Sequence, residues 1–177
     1  MKLVVWLWNP WQQYMATSHN IWAVMLEKFL DWEKYWELKY DNKWKAEILK
    51  IDQFWENVIF CFPQTYMNSS WESVLLLAKF YKIPVESILV LHDEIDFVVW
   101  RVAMKKWWGA AWHNWLRSII SKLWNKDFWR IRIWVGRPVN SDMVADYVLS
   151  KFRPNEKELV KEQEENIFTM INEFLEN

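Results

Sequence analysis

The chain has 177 residues and a mass of 21.9 kDa, enough for one domain with a sizeable core. Apolar residues make up 53% of it and the net charge is −1, which excludes a largely disordered chain; no uninterrupted apolar run approaches the roughly 18 residues of a membrane span. Cys61 is the only cysteine, which leaves neither an intramolecular disulfide nor a Cys-rich metal site.

Residues 2–8 form a short apolar run suited to a buried strand. Met1-Lys2-Leu3-Val4-Val5 lacks the long apolar stretch of a signal peptide, and the chain reads as cytoplasmic. Asn20 is expected to cap a helix running through Val24, Leu26, Phe29 and Leu30 to about Tyr35. Ala46 to Ile51 alternates and Val58 to Phe62 is continuously apolar, so both read as strands. Cys61, between Phe60 and Phe62, reads as a buried structural thiol rather than a nucleophile. Pro63-Gln64-Thr65-Tyr66 predicts a loop, and Ser70 a cap for a helix through Val74, Leu77 and Tyr81. Pro84 breaks the chain before the buried strand Ile88-Leu89-Val90-Leu91, which ends at His92-Asp93. A further strand is expected over residues 99–105, a helix from His113 to Leu123 and a last central strand from Ile131 to Val135. Beyond Arg137-Pro138 the chain reads as helical, with a Glu-rich amphipathic tail from Asn155 to Leu175. Strands alternating with helices imply an α/β fold, a single domain over residues 1–177. Its sheet is expected to be mixed, mostly parallel and twisted, with helices on both faces.

Seventeen tryptophans stand against two glycines, where an average composition of about 7% predicts about a dozen glycines. Trp6-Leu7-Trp8-Asn9-Pro10-Trp11 follows the run Leu3-Val4-Val5, and Trp107, Trp108 and Trp112 lead into His113-Asn114-Trp115. A strand-to-loop turn needs small residues with free dihedrals, and an indole supplies neither property. Charge is also uneven. Phe97 to Pro138 holds nine basic residues and one acid, while Val139 to Asn177 holds four basic residues and nine acids. The basic segment fits a face for a polyanion such as RNA, and equally a solvated surface that scatters lysines.

Three histidines can be weighed. His92 and His113 read as structural. His19, in Thr17-Ser18-His19-Asn20, lies in the loop after the first strand and at a helix start, facing the carboxyl end of the sheet where open α/β proteins place ligands. Asp93, at another strand end, can reach it across the sheet. A carboxylate bonded to one imidazole nitrogen sets the tautomer and makes the other nitrogen a better base. With no serine or cysteine nucleophile beside it, the pair points to base activation of water. Asn9, Asn20, Asn68 and Asn114 recur at loop ends and can donate to a carbonyl or oxyanion; taken singly, each reads as a cap or turn residue.

Seven segments in order carry a family resemblance. They are V-V-W-L-W-N-P-W-x-x-Y (4–14), T-S-H-N (17–20), P-Q-T-Y-M-N-S-S-W (63–71), F-Y-K-I-P (80–84), L-V-L-H-D-E-I-D (89–96), H-N-W-L-R-S-I-I (113–120) and F-W-R-I-R-I-W-V-G-R-P (128–138). With them the chain resembles the bacterial peptidyl-tRNA hydrolases over nearly its whole length. The resemblance implies hydrolysis of the ester joining a peptide, or N-blocked aminoacyl group, to the 3′ end of tRNA, which recycles tRNA from stalled translation. It makes His19 the match to the family's catalytic base, Asp93 to the acid that keeps it basic, and Asn9 to the residue that helps distinguish blocked from unblocked aminoacyl-tRNA. Tyr14, Tyr66, Asn68 and Asn114 match positions binding the tRNA or peptide portion. Lys105 and Arg132 match basic positions near the tRNA phosphates. A monomer is expected, with no metal, no organic cofactor and no membrane association.

The chain departs from the family at twelve tryptophans. Trp6, Trp8, Trp11, Trp22, Trp71, Trp100, Trp107, Trp108, Trp112, Trp115, Trp124 and Trp134 fall where the family usually has glycine. Ser18 stands where an arginine is common, and Phe62 where a lysine is. A bulky residue forced into a glycine conformation costs about 1–3 kcal/mol; a dozen would exceed the roughly 5–15 kcal/mol stability of a domain. A gene that reads UGA as glycine, translated with UGA as tryptophan, produces this one-directional pattern. Genuine tryptophans would instead favour a catalytically impaired homologue that binds tRNA or other RNA, since stacking aromatics suit single strands.

With glycine restored, residues 6–11 also read G-x-G-x-x-G after a strand, the dinucleotide fingerprint. Its ribose-binding acid belongs at the end of a second strand roughly 20 residues on. Here that distance lands on Asp31-Trp32-Glu33, in or just beyond a predicted helix, which argues against a nicotinamide or flavin enzyme.

Overall fold

A computed structural model describes residues 1–7, 17, 20–33, 35, 38–53, 56–65, 69–95, 101–106, 114–123, 127–136, 147, 149–151, 158–159 and 161–177. Among these residues seven strands form one sheet: β1 (Lys2–Trp6), β2 (Lys39–Asp41), β3 (Ala46–Gln53), β4 (Glu56–Pro63), β5 (Ile88–Glu94), β6 (Val102–Lys106) and β7 (Trp129–Trp134). Their order is β2-β3-β4-β1-β5-β7-β6. The inner strands β4, β1, β5 and β7 pair in parallel, and β2, β3 and β6 extend the sheet antiparallel at its edges. The sheet is mixed, as expected, with its parallel part confined to the centre. A parallel strand covered on both faces is apolar throughout, and Leu3 to Leu7 accordingly have no exposed surface.

Among the described residues four α-helices flank the sheet: α1 (Ile21–Trp32), α2 (Ser70–Phe80), α3 (Asn114–Leu123) and α4 (Glu164–Glu176). Alternation along the strands divides the core in two. Val4, Phe60, Leu89 and Ile131 pack with Met25 and Phe29 of α1 and Ile171 and Phe174 of α4. Leu3, Val5, Ile59 and Val90 pack with Val74 and Leu77 of α2 and Leu116 and Ile119 of α3. Each such fully buried side chain contributes about 1.5–3 kcal/mol relative to exposure. Among the described residues no helix is long and apolar enough to cross a membrane.

Several boundaries differ from the sequence reading. α1 stops at Trp32, and Tyr35 lies beyond it, donating its N–H to the Leu30 carbonyl at 2.8 Å. Asn20 holds the N-cap position without a side-chain capping bond. The residue preceding α2 is Ser69, and Ser70 is its first helical residue. β2 was not foreseen: three exposed or half-exposed residues, Lys-Tyr-Asp, carry no strand pattern. Asp31 and Trp32 belong to α1, so the position roughly 20 residues on, where a dinucleotide fold has its ribose-binding acid at the end of a second strand, falls in a helix.

α2 ends in a Schellman motif. Ile83 N–H donates to the Ala78 carbonyl at 2.8 Å and Lys82 N–H to the Lys79 carbonyl at 3.3 Å. This geometry needs a left-handed residue, and Lys82 supplies it at φ 53°. Glycine has no Cβ to strain there, so Lys82→Gly is expected to raise stability by up to about 1 kcal/mol. Denaturant melts would measure it, and a loss of stability would show that the lysine side chain contributes more than the strain.

The tryptophans give a mixed result. Trp6, Trp22, Trp71, Trp115 and Trp134 lie in regular elements, and positive φ among the described residues occurs only at Lys45, Lys82 and Gly136. Backbone strain, expected for a dozen indoles, therefore does not fall on these five. Trp6 bears a different cost: it is wholly buried and its indole N–H has no hydrogen-bond partner among the described residues, which costs about 1–3 kcal/mol. The other seven tryptophans at family glycine positions lie outside the described residues.

Cys61 has no exposed surface, and burial pushes its thiol well above the ordinary range. The native protein should resist iodoacetamide and become alkylated only on unfolding, as mass spectrometry would read. Rapid labelling under native conditions would contradict this packing.

Candidate active site

Parallel pairing sets the carboxyl ends of β4, β1, β5 and β7 along one edge of the sheet, the edge outside which open α/β proteins bind ligands. α1 begins at that edge. Lys28 pairs with Glu164, and Asn172 donates to Glu33 at 3.0 Å, so α1 and α4 run side by side in one direction. α4 ends against the start of β1, where Lys2 Nζ donates to the Leu175 carbonyl at 2.8 Å. Just before α1, Asn20 N–H donates to the Thr17 carbonyl at 3.0 Å, and both residues are buried.

Asp93, the penultimate residue of β5, is wholly buried. It shares the strand face of Leu89 and Leu91, which pack with Met25, Leu26 and Phe29 of α1. Asp93 and the amino end of α1 thus occupy one end and one face of the sheet. His92 turns to the opposite face. It is buried, and its Nδ1 donates to the Asp93 carbonyl oxygen at 2.7 Å, in keeping with a structural role.

On His92's face, β7 carries Arg130 and Arg132, 1% and 4% exposed. Arg132 Nη1 lies 3.4 Å from Glu94 Oε2, and its guanidinium stands 4.6 Å from the Trp134 ring centre. Burial pushes the Arg130 guanidinium down to about 10, with the charge of Arg132 adding to the effect and Glu94 opposing it. Lys105, exposed on β6, is the register partner of Arg130. The row of Asp93, Ile133 and Val102 lies three residues from the row of Arg130 and Lys105, about 10 Å along the strands.

The family model described as peptidyl-tRNA hydrolase matches residues 3–177. The chain belongs to the peptidyl-tRNA hydrolase family. It is similar to the peptidyl-tRNA hydrolase of Rickettsia bellii strain RML369-C, at 38% identity over 178 residues, spanning 100% of this chain and 95% of that one. The peptidyl-tRNA hydrolase of Bdellovibrio bacteriovorus is 42% identical over 157 residues, spanning 88% of this chain and 83% of its own. The crystal structure of the Acinetobacter baumannii peptidyl-tRNA hydrolase matches with a TM-score of 0.89 at 33% identity, covering 97% of this chain and 87% of that one.

Of the expected peptidyl-tRNA hydrolase residues, Asp93, Lys105 and Arg132 lie where described above, and Asn114 is the first residue of α3. Asn9, Tyr14, His19, Tyr66 and Asn68 lie outside the described residues, as does His113. Asp93 and Lys105 are not brought together: they lie on opposite faces. The described parts of this peptidyl-tRNA hydrolase fold add Glu94 and Arg130, which sequence reasoning had not singled out as site residues. The signal available was the i, i+2 spacing of Arg130 and Arg132 inside an apolar run, which puts two arginines on one strand face.

Proposed function

We propose that the chain is a monomeric, cytoplasmic hydrolase acting through one domain over residues 1–177. Its substrate is peptidyl-tRNA, whose ester to the tRNA 3′ end it cleaves. His19 takes a proton from water, the water oxygen attacks the ester carbonyl, and the proton passes to the departing ribose oxygen. Asp93 keeps His19 basic, and Asn9, Asn68 and Asn114 hold the substrate and stabilise the oxyanion. Tyr14 and Tyr66 contact the peptide or tRNA portion. Lys105, exposed at the sheet edge, meets phosphate, while Arg132 supports that basic face from beneath. The observation that carries the reading is the buried carboxylate of Asp93 on the same end and face as the amino end of α1, two residues from His19.

The test is release of the N-acylamino acid from N-acylaminoacyl-tRNA, with free aminoacyl-tRNA as the control. Hydrolysis of the blocked ester alone supports the reading. Tight tRNA binding without release would overturn it in favour of an RNA-binding homologue.

A further inference from the structure

A second basic surface lies on the β2 side of the sheet, across it from β6, around the β2–β3 turn and the carboxyl end of α2. Lys39, Lys43, Lys45, Lys50, Lys79 and Lys82 are all exposed there. Lys45 pairs with Glu72, and Lys79 and Lys82 suit a helix carboxyl terminus electrostatically. Lys43 and Lys50 are held differently, by rings. Lys43 Nζ stands 3.6 Å from the Phe80 ring centre and 4.3 Å from that of Trp44. Lys50 Nζ lies 4.8 Å from the Tyr81 ring centre and bonds the Tyr81 hydroxyl. A ring face for Lys43 and a phenol hydroxyl for Lys50 orient the ammonium without neutralising it, so both lysines keep their charge at little further entropic cost when an anion arrives.

Two features set this surface apart from a mere stabilising contact. Phe80 and Tyr40 are each 57% exposed, leaving ring area open beside the fixed charges. Lys50 also lines an open concavity of about 560 Å³ with Lys39, Tyr40 and Asn42. Fixed cations interleaved with open rings match a phosphate backbone with accessible bases. The β2–β3 turn lies at the carboxyl end of β4: Gln64 N–H donates to the Lys45 carbonyl at 2.9 Å, and Ala46 is the register partner of Pro63.

We infer that this lysine–aromatic flank is a second contact for the tRNA body, with Lys43 and Lys50 on phosphates and the open ring of Phe80 against a base. The inference rests on the hydrolase reading for the identity of the RNA.

The test compares wild type with the Lys43→Gln/Lys50→Gln double variant on two substrates. One is full-length N-acylaminoacyl-tRNA; the other is the same ester on a short 3′-CCA oligonucleotide. The double variant should show a raised KM for the full-length substrate and unchanged turnover of the short one. Its slope of log K for tRNA against log salt should fall by about 2. Lys43→Arg/Lys50→Arg should restore binding, since arginine keeps both charge and ring contact. Unchanged tRNA affinity and salt slope in the double variant would overturn the inference, as would an equal loss on both substrates. Wild type that binds tRNA but cleaves neither ester would defeat the hydrolase reading alone, and the salt slope would still decide on the patch.

Discussion

His19→Ala is expected to lower kcat on N-acylaminoacyl-tRNA by about 10²–10⁴-fold, the usual contribution of a positioned general base. Affinity for tRNA should stay near wild type, because the proposed phosphate and base contacts lie on other residues. Asp93→Asn tests the same chemistry through the residue proposed to keep His19 basic. A neutral amide no longer favours the imidazolium, so the histidine pKa falls and the acid limb of the kcat/KM profile moves to lower pH, at a reduced plateau. Rate measurements across pH on the two variants, beside filter binding of tRNA, would check both points. Loss of tRNA affinity in a folded His19→Ala protein would count against a purely catalytic histidine. An unmoved pH profile in Asp93→Asn would leave the buried carboxylate a structural role only.

Restoring glycine at the twelve family positions is expected to raise turnover from little or none to that of a working hydrolase. Trp8 and Trp11 flank Asn9 in the sequence, and Trp112 and Trp115 flank His113-Asn114, so bulk is removed around the residues proposed to hold substrate. Position 6 gives the sharper contrast. Removing a buried tryptophan from a core built for it costs about 3–5 kcal/mol through the cavity left behind. Trp6 packs 5.6 Å from Phe60 by ring centres, with its N–H unsatisfied among the described residues. If glycine is native there, the restored chain folds at least as stably as the written one; if tryptophan is native, the restored chain is destabilised and gains nothing. Thermal melts and hydrolysis assays on both chains separate the outcomes. UGG codons at Trp8, Trp11 and Trp115 would sink the recoding explanation outright.

Legibility varied with how strongly burial patterned each element. β1, β4 and β5 were readable because strands covered on both faces are apolar without interruption. β2 was not, because an edge strand of three polar or half-exposed residues is held by its partner β3 rather than by its own pattern. Serines 69 and 70 are equally good caps by type, and only the backbone path separates the residue before α2 from its first turn. The seven ordered motifs were enough to identify the family, since they occur in the expected order over nearly the whole chain.

The sequence by itself determined the α/β class, the family, and His19, Asp93 and the asparagines as the candidates for chemistry. Only the tertiary structure decided that β1 sits between β4 and β5, that Asp93 faces α1 while His92 faces away, and that Arg132 is buried against Glu94. It alone brought Lys43 of the β2–β3 turn and Lys50 of β3 to the rings at the end of α2, more than 30 residues later in the chain. Local pattern is written in neighbouring residues, whereas strand order, the facing of a strand end and the burial of a charge depend on pairings between distant segments. No window of sequence contains both partners of such a pairing.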